Sequence, residues 1–298
     1  MNKTYCLIDI GTNNVLLLLA EIQADGFRVL KRLNRISALG AGMKAGILQS
    51  DGIFRTQKIL EEYIQIAHDH NTCPVLIGTS ALREAENNYI LRKWLSENYD
   101  LYLNLITGSE EARLNGLANI NEFKDAELLL FDIGGGSTEF TLIKNKKISS
   151  CVSIGLGIRK MYNEFSDDAC HQTEYIRNLL NSLTIKIPPS AILIGIGGTV
   201  TTLAALLQRI VLYDESSVHK YKILASQLDI LLDRIQDSPE NEIIDLIPFN
   251  PTNKALLLTG GLIVREIIAH FSVLDFFVSN RTWQYGVLSE IITGRYKV

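Results

Sequence analysis

Leu7-Ile8-Asp9-Ile10-Gly11-Thr12 and Leu130-Phe131-Asp132-Ile133-Gly134-Gly135 share one pattern: apolar, apolar, Asp, Ile, Gly. Each continues into a second strand-like stretch, residues 15–21 in the first case and 139–144 in the second. Two copies of a strand, aspartate-glycine turn, strand unit so far apart predict two homologous halves. The chain has 298 residues, enough for each half to bury a core of its own. A boundary near residues 119–124 follows, giving one domain over 1–122 and a second over 123–281.

Strand-like and helix-like segments alternate throughout, which predicts an α/β fold. In the first half, residues 5–9 and 15–21 read as strands. Ile53, Leu60, Tyr63, Ile64 and Ala67 recur at helical spacing, and residues 75–78 after Pro74 read as a buried strand. A helix is expected from Thr79-Ser80 to about residue 97, a strand over 101–106 and another helix from Ser109. In the second half, residues 148–154 read as a strand, followed by the segment 155–165, a helix near 172–183 and a strand over 191–196. Helices are expected to start at Thr199, at Ser226 and at about Thr252, then a strand over 274–278 and a last helix over 282–293. The polar, weakly patterned stretch 212–223 reads as a mobile loop.

With 29 basic against 33 acidic side chains, net charge -4 and a pI near 5.8, the chain has no long-range attraction for DNA, RNA or an acidic membrane. An anionic ligand must be met by local donors. The four cysteines show no CxxC spacing and read as reduced thiols, and the five histidines show no metal-ligand spacing. The apolar run 15–20 is too short to span a bilayer, and Asp9 interrupts the only candidate secretory core, so a cytoplasmic protein is expected.

An aspartate at a strand end beside glycine-rich turn chemistry puts a carboxylate next to exposed amides. That suits a metal-phosphate complex, in which amides bind phosphate oxygens and the carboxylate binds Mg²⁺ directly or through water. Asp132 with Gly134, Gly135, Gly136 and Ser137 is the stronger copy; Asp9 with Gly11, Thr12 and Asn13 is the weaker. A tight hairpin would explain either copy alone. Gly195-Ile196-Gly197-Gly198-Thr199 lies between a strand and a helix, where its amides could hold an anion or simply form a turn. It lacks both the dinucleotide GxGxxG order and a P-loop lysine.

Ser80 reads as an N-cap, which sets Arg83 in a first helical turn where the dipole disfavours a cation. A nearby anion would reverse that penalty, and so would pairing with Glu84 or Glu86. Ser109 reads as another N-cap followed by Glu110 and Glu111. The dipole favours acids there, and one of them could instead face a cleft as a general base. Glu139 could share a cation with Asp132 or pair across strands with a lysine.

Taken together and in this order, these motifs resemble the exopolyphosphatase / guanosine pentaphosphate phosphohydrolase (Ppx/GppA phosphatase) family of the actin, sugar-kinase and heat-shock chaperone superfamily. The matching stretches are Ile8 to Asn13, Thr79-Ser80-Ala81-Leu82-Arg83-Glu84-Ala85, Gly108-Ser109-Glu110-Glu111-Ala112-Arg113-Leu114, Phe131 to Glu139 and Gly155-Leu156-Gly157-Ile158-Arg159. The resemblance implies two ribonuclease-H-like domains flanking a phosphate-binding cleft, with the last helix, 282–298, returning to the first domain. It implies Mg²⁺-dependent removal of the terminal phosphate of inorganic polyphosphate or of the 5' γ-phosphate of guanosine pentaphosphate. By motif position, Glu111 looks like the acid that activates water and Arg83 like a phosphate clamp. Asp132 and Glu139 look like the magnesium-side acids. Asp9, Gly11 to Asn13, Gly134 to Ser137 and Gly197 to Thr199 would form the phosphate cradle.

Three positions depart from the family pattern. Ser279-Asn280-Arg281-Thr282-Trp283-Gln284-Tyr285-Gly286 stands where members often have Ser-Asp-Gly-X-X-Arg-Glu-Gly, which loses an acid and moves the arginine, Lys254-Ala255-Leu256 where Arg-Ala-Asp is common, and Asn14 where serine is common. The extra C-terminal helical domains of longer members are not expected, so a short two-domain form results. Exopolyphosphatase is the leading reading and guanosine pentaphosphate hydrolysis the runner-up. A non-catalytic phosphate-ligand sensor and an ATP-dependent small-molecule kinase stay open behind them, as does a homodimer. A polyanion meeting an acidic protein needs a local basic track, for which Lys144, Lys146, Lys147, Arg159 and Lys160 are the candidates.

Overall fold

The computed structural model describes residues 3–24, 26–123, 127–188, 190–247 and 253–296. The chain opens with an antiparallel meander, β1 (Thr4–Ile10), β2 (Asn14–Gln23) and β3 (Gly26–Ile36). Helix α1 (Ser50–Asp69) leads to β4 (Pro74–Gly78), the short α2 (Ser80–Glu84), α3 (Tyr89–Tyr99), β5 (Leu103–Leu105) and α4 (Gly108–Asn119). The five strands form one sheet in the order β3-β2-β1-β4-β5, with β4 and β5 parallel to β1.

The pattern then repeats. Strands β6 (Leu128–Ile133), β7 (Thr138–Lys144) and β8 (Lys147–Ile154) form a second meander, followed by α5 (Ile158–Phe165), α6 (Ala169–Asn181), β9 (Ile192–Ile196) and α7 (Gly198–Leu207). Next come α8 (Glu215–Val218), β10 (Lys222–Leu224), α9 (Ala225–Asp237), α10 (Glu240–Leu246), α11 (Lys254–His270), β11 (Asp275–Ser279) and α12 (Trp283–Ile292). The second sheet runs β10-β11-β9-β6-β7-β8, with β9 and β11 parallel to β6. Apart from the added edge strand β10, both sheets have three antiparallel strands and then two parallel ones. This is the ribonuclease-H-like arrangement twice over.

The repeat extends to single hydrogen bonds. Gly11 N donates to Asn14 O at 2.9 Å, and Gly134 N donates to Ser137 O at 2.9 Å. Each half buries its own core. Leu60, Tyr63, Ile64 and Ala67 of α1 pack on Ile8, Leu17 and Leu19 of the first sheet. Phe131 and Phe140 of the second sheet pack with Val200, Leu203 and Ile263 of its helices. The other face of the first sheet is covered by the last helix: Trp283, Tyr285, Val287 and Leu288 pack on Leu7, Leu18, Val75 and Ile77.

Helix α4 joins the halves through a stripe of small residues one turn apart, Gly108, Ala112 and Gly116. A Cβ at Gly108 would lie 2.3 Å from Ser153 Oγ, and one at Gly116 would lie 2.9 Å from Ile148 and Thr141 side-chain atoms. Thr141 Oγ1 donates to Ala112 O at 2.6 Å. On its far side Gly286 of α12 comes so close that a Cβ there would lie 2.1 Å from Leu114 O. The helix is gripped between β7 and β8 on one side and α12 on the other.

Several local expectations need correction. The helix expected from residue 80 to 97 is two, because Ala85 turns extended, Glu86 N donates to Gly46 O at 2.8 Å and Asn88 Nδ2 caps Leu82 O and Ala85 O. Thr79, not Ser80, is the N-cap of α2, and Ser80 Oγ donates to Glu84 instead. Thr107, not Ser109, caps α4, its Oγ1 accepting from Glu110 N. The stretch 212–223 is no mobile loop, since it forms α8, capped by Asp214, and the edge strand β10 paired to β11. Strand β3 was missed because its charged, largely exposed Arg28-Val29-Leu30-Lys31 run lacks an apolar face, as befits a guarded sheet edge. The helix start expected at Thr252 lies outside the described residues, as does Lys124 at the boundary between halves. Among the described residues no helix is long and apolar enough to cross a membrane.

Candidate active site

The parallel strands of both sheets point their carboxyl ends into one cleft, where loops can present side chains and amides to a ligand. The two aspartate-glycine turns face each other across it: a Cβ on Gly135 would lie 2.7 Å from Thr12 Cβ, and one on Gly136 would lie 2.4 Å from Ser80 Oγ. Only glycine permits this approach. The cavity between them measures about 360 Å³. Asp9, Gly11, Thr12, Asn13, Glu111, Asp132, Gly134, Gly135, Gly136, Ser137, Gly197, Gly198 and Thr199 all line it.

Each acid is held by its own element. Asp9 and Asp132 are the penultimate residues of β1 and β6; Asp132 Oδ2 accepts from Asn115 Nδ2 of α4 at 2.8 Å. Glu139 stands directly across from Asp132 in the β6–β7 register. Its Oε1 accepts 2.7 Å bonds from Ser137 and Ser153, so it pairs with serines rather than with a lysine. Glu111 sits in the first turn of α4, carried over the second sheet by the Gly108-Ala112-Gly116 stripe. Arg83 Nη1 donates to Ile106 O at 2.8 Å and stands 3.8 Å from Glu111 Oε2. Neither Arg83 nor Glu139 is among the residues that line the cavity.

Burying so many acids together has an electrostatic cost. Burial, then the Asp132 charge, pushes Asp9 up to about 8, although a hydrogen bond from Trp283 works against the rise. Burial raises Asp132 to about 6 against the Asn115 bond, and burial with Asp132 raises Glu139 to about 7. Glu111 is pushed well up by burial and by Glu139, Asp9 and Asp132, with Arg83 opposing. Asp9 Oδ1 and Glu111 Oε2 are buried without a hydrogen-bond partner.

The cavity also has walls that the sequence did not mark. Trp283 of α12 lines it and bonds Asp9, and behind the wall Asn115 of α4 bonds Asp132, both from helices otherwise committed to packing. Tyr213 and Glu215 come from the stretch read as a loop, and Arg32 comes from the missed strand β3. Arg32 Nη1 lies 2.6 Å from Glu215 Oε1, an ion pair that ties β3 of the first sheet to α8 of the second half at the cleft. The lysines at the β7–β8 hairpin, Lys144, Lys146 and Lys147, line neither this cavity nor its neighbour, whereas Arg159 lines both.

A duplicated ribonuclease-H-like fold with a carboxylate-rich, glycine-walled cleft defines a class of proteins that handle phosphoanhydrides between paired domains. The chain belongs to the Ppx/GppA phosphatase family, whose model matches residues 18–293. It is 29% identical over 308 residues to a bifunctional 3-dehydroquinate synthase/phosphatase of Fusobacterium nucleatum, covering 95% of this chain but only 46% of that protein. It is 28% identical to exopolyphosphatase 2 of Mycobacterium tuberculosis, covering 88% of each chain. A crystal structure of the Aquifex aeolicus Ppx/GppA family member superposes with a TM-score of 0.79 at 25% identity, covering 100% of both chains.

Proposed function

We propose that the protein is a Mg²⁺-dependent exopolyphosphatase, removing the terminal phosphate of inorganic polyphosphate by attack of water. Family membership makes it a phosphoanhydride hydrolase. The observation that carries the finer reading is the meeting of Glu111 with both aspartate-glycine turns in one buried cleft. Phosphoryl transfer asks mainly for in-line positioning and for neutralised charge, and this cleft offers the parts for both.

In this reading Glu111 takes the proton of the attacking water. Its raised proton affinity suits a base, and the Arg83 charge opposes the rise. Arg83, braced on Ile106 O, would meet the transferred phosphate from beside Glu111. Gly11 to Asn13, Gly134 to Ser137 and Gly197 to Thr199 would bind phosphate oxygens, with Asp9 completing the cradle beside them.

The residues present fit a magnesium ion. Asp9 Oδ1 and Glu111 Oε2 are buried without a hydrogen-bond partner, and four acids with raised proton affinity would be relieved by a cation. Among the described residues no three Asp, Glu, His or Cys side chains converge as a protein-only metal cage. Mg²⁺ does not need one, since it takes one or two carboxylates and completes its shell with water and substrate phosphates. Asp132, on the cavity wall, would hold it, with Glu139 supporting the site from directly across the β6–β7 ladder. When bound, the ion would supply positive charge against the phosphates.

One observation favours a second substrate, guanosine pentaphosphate. The cavity also carries Tyr213, Ile158, Leu256 and Leu257, apolar surface that a phosphate chain does not use and a nucleoside would cover. Incubating the pure protein with each compound and Mg²⁺ separates them by phosphate release. Release from neither, or a Glu111→Gln variant as active as the parent, would overturn both.

A further inference from the structure

The cleft continues past the acids. A second cavity of about 250 Å³ shares Thr12, Ser80, Gly136 and Arg159 with the first, so the two meet at a neck made by these residues. Gly40, Met43, Gly46 and Asn163 belong to the smaller cavity alone, and its lining includes no aromatic side chain.

Arg159 is aimed at the neck by backbone contacts. The amides of Ile158, Arg159 and Lys160 donate to the carbonyls of Gly134 and Gly135 at 3.1, 2.8 and 3.0 Å. A Cβ on Gly157 would lie 2.3 Å from the Gly136 backbone, so the start of α5 rests directly on the glycine turn. These amides serve the turn, which leaves the guanidinium as the donor group of this corner. Its Nη2 donates to Asn13 Oδ1 at 2.5 Å, a neutral partner, while its Nε is buried without one. Burial lowers its proton affinity, as does the Arg55 charge. A guanidinium held this way matches a phosphate, to which it can give two parallel hydrogen bonds.

We infer that Arg159 grips a phosphate at the neck, so that a linear phosphate chain engaged in the larger cavity runs on through it into the smaller one. This rests on the polyphosphate reading and adds to it the path of the chain. The smaller cavity is not broadly cationic. Glu84 and Glu164 offset Arg159 and Lys160 in its lining, Glu84 accepting from Ser80 Oγ at 2.8 Å and standing 3.9 Å from Lys160. The grip therefore falls to Arg159 itself and not to general attraction.

The test measures binding of orthophosphate, inorganic triphosphate and long-chain polyphosphate with Mg²⁺, in a Glu111→Gln background that removes turnover. Arg159→Gln should weaken long-chain binding about 10- to 100-fold, the range for a lost charge-assisted hydrogen bond pair, and Arg159→Lys should recover part of it. Met43→Trp fills the smaller cavity from a residue that does not line the larger one. It should weaken long chains and spare orthophosphate, and it decides the matter if Arg159→Gln does not fold. With turnover restored, Arg159→Gln should raise KM with kcat within about threefold. Unchanged long-chain affinity in Arg159→Gln or Met43→Trp would overturn the path, and so would a loss confined to orthophosphate, which would make the neck a product site. Polyphosphate that binds the parent without being cleaved defeats the exopolyphosphatase reading alone, because the Arg159 comparison still runs on binding.

Discussion

Replacing Asp9 by Asn should change how stability depends on pH, and the structure sets the size of the change. Asp9 is buried beside Asp132 and its proton affinity rises from an ordinary 3.8 to about 8. A carboxyl raised in the folded state contributes stability that is fully present below about pH 4. That contribution is lost as pH rises through 8. Between pH 5 and 8 the loss from one such group is at most about 4 kcal/mol, three pH units at about 1.4 kcal/mol each. Asp132 and Glu111 titrate against Asp9, so ionisation of one suppresses the others, and about 2 kcal/mol is the expected difference. Asn at this position keeps the shape and does not titrate. Urea unfolding in EDTA at pH 5, 6, 7 and 8 should therefore show the parent losing stability with pH faster than Asp9→Asn, by about 2 kcal/mol across the range. Parallel curves, or a variant that falls faster, would refute the claim that this cleft holds mutually repelling acids.

Cation binding at such a site must expel protons, so titration of the protein with Mg²⁺ at pH 7 in buffers of different ionisation heat should show proton release, absent in Asp132→Asn. Glu111→Gln should lower kcat about 10²- to 10⁴-fold with little change in substrate affinity, as for loss of a general base. In the parent, kcat/KM should rise with pH as Glu111 loses its proton, and a flat profile would exclude it as the base. Gly116→Leu should cost about 1 to 3 kcal/mol in unfolding and also depress activity, because it pushes α4 off Thr141 and Ile148 and carries Glu111 with it. A double-mutant cycle on Arg32 and Glu215 should return a coupling of about 1 kcal/mol, and zero coupling would mean that the pair ties nothing together.

What the sequence reveals of this molecule follows from how local each signal is. Asp9 and Asp132 were legible because a strand, a turn and a strand are contiguous, and their duplication predicts the duplicated topology. Glu111 was half legible: its place in a first turn is local, but the choice between capping and chemistry depends on β7, far away in sequence. The stripe Gly108, Ala112, Gly116 is visible at helical spacing, yet only the strands packed on it show that it brings an acid over the second sheet. Arg32 stayed hidden because an edge strand protected by charge carries no alternation. Tyr213 and Glu215 stayed hidden because a four-residue helix and a three-residue strand are too short to set up a period. The Asn115 and Trp283 contacts with the acids are set by packing between distant segments and leave no trace in any one of them.

The covering of the first sheet by α12 bears on how the polypeptide is made. Leu7 and Leu18 leave the ribosome about 270 residues before Trp283, Tyr285, Val287 and Leu288, which shield them. At ordinary elongation rates that interval is roughly 15 to 50 s. Throughout it, an oily surface lacks its lid, and the nascent protein must either borrow a chaperone or delay closing its first unit until α12 has emerged. Arrested chains stopped before residue 282 should accordingly bind a hydrophobic dye and be cut by protease within the first sheet, while chains that extend through α12 and are released should resist both.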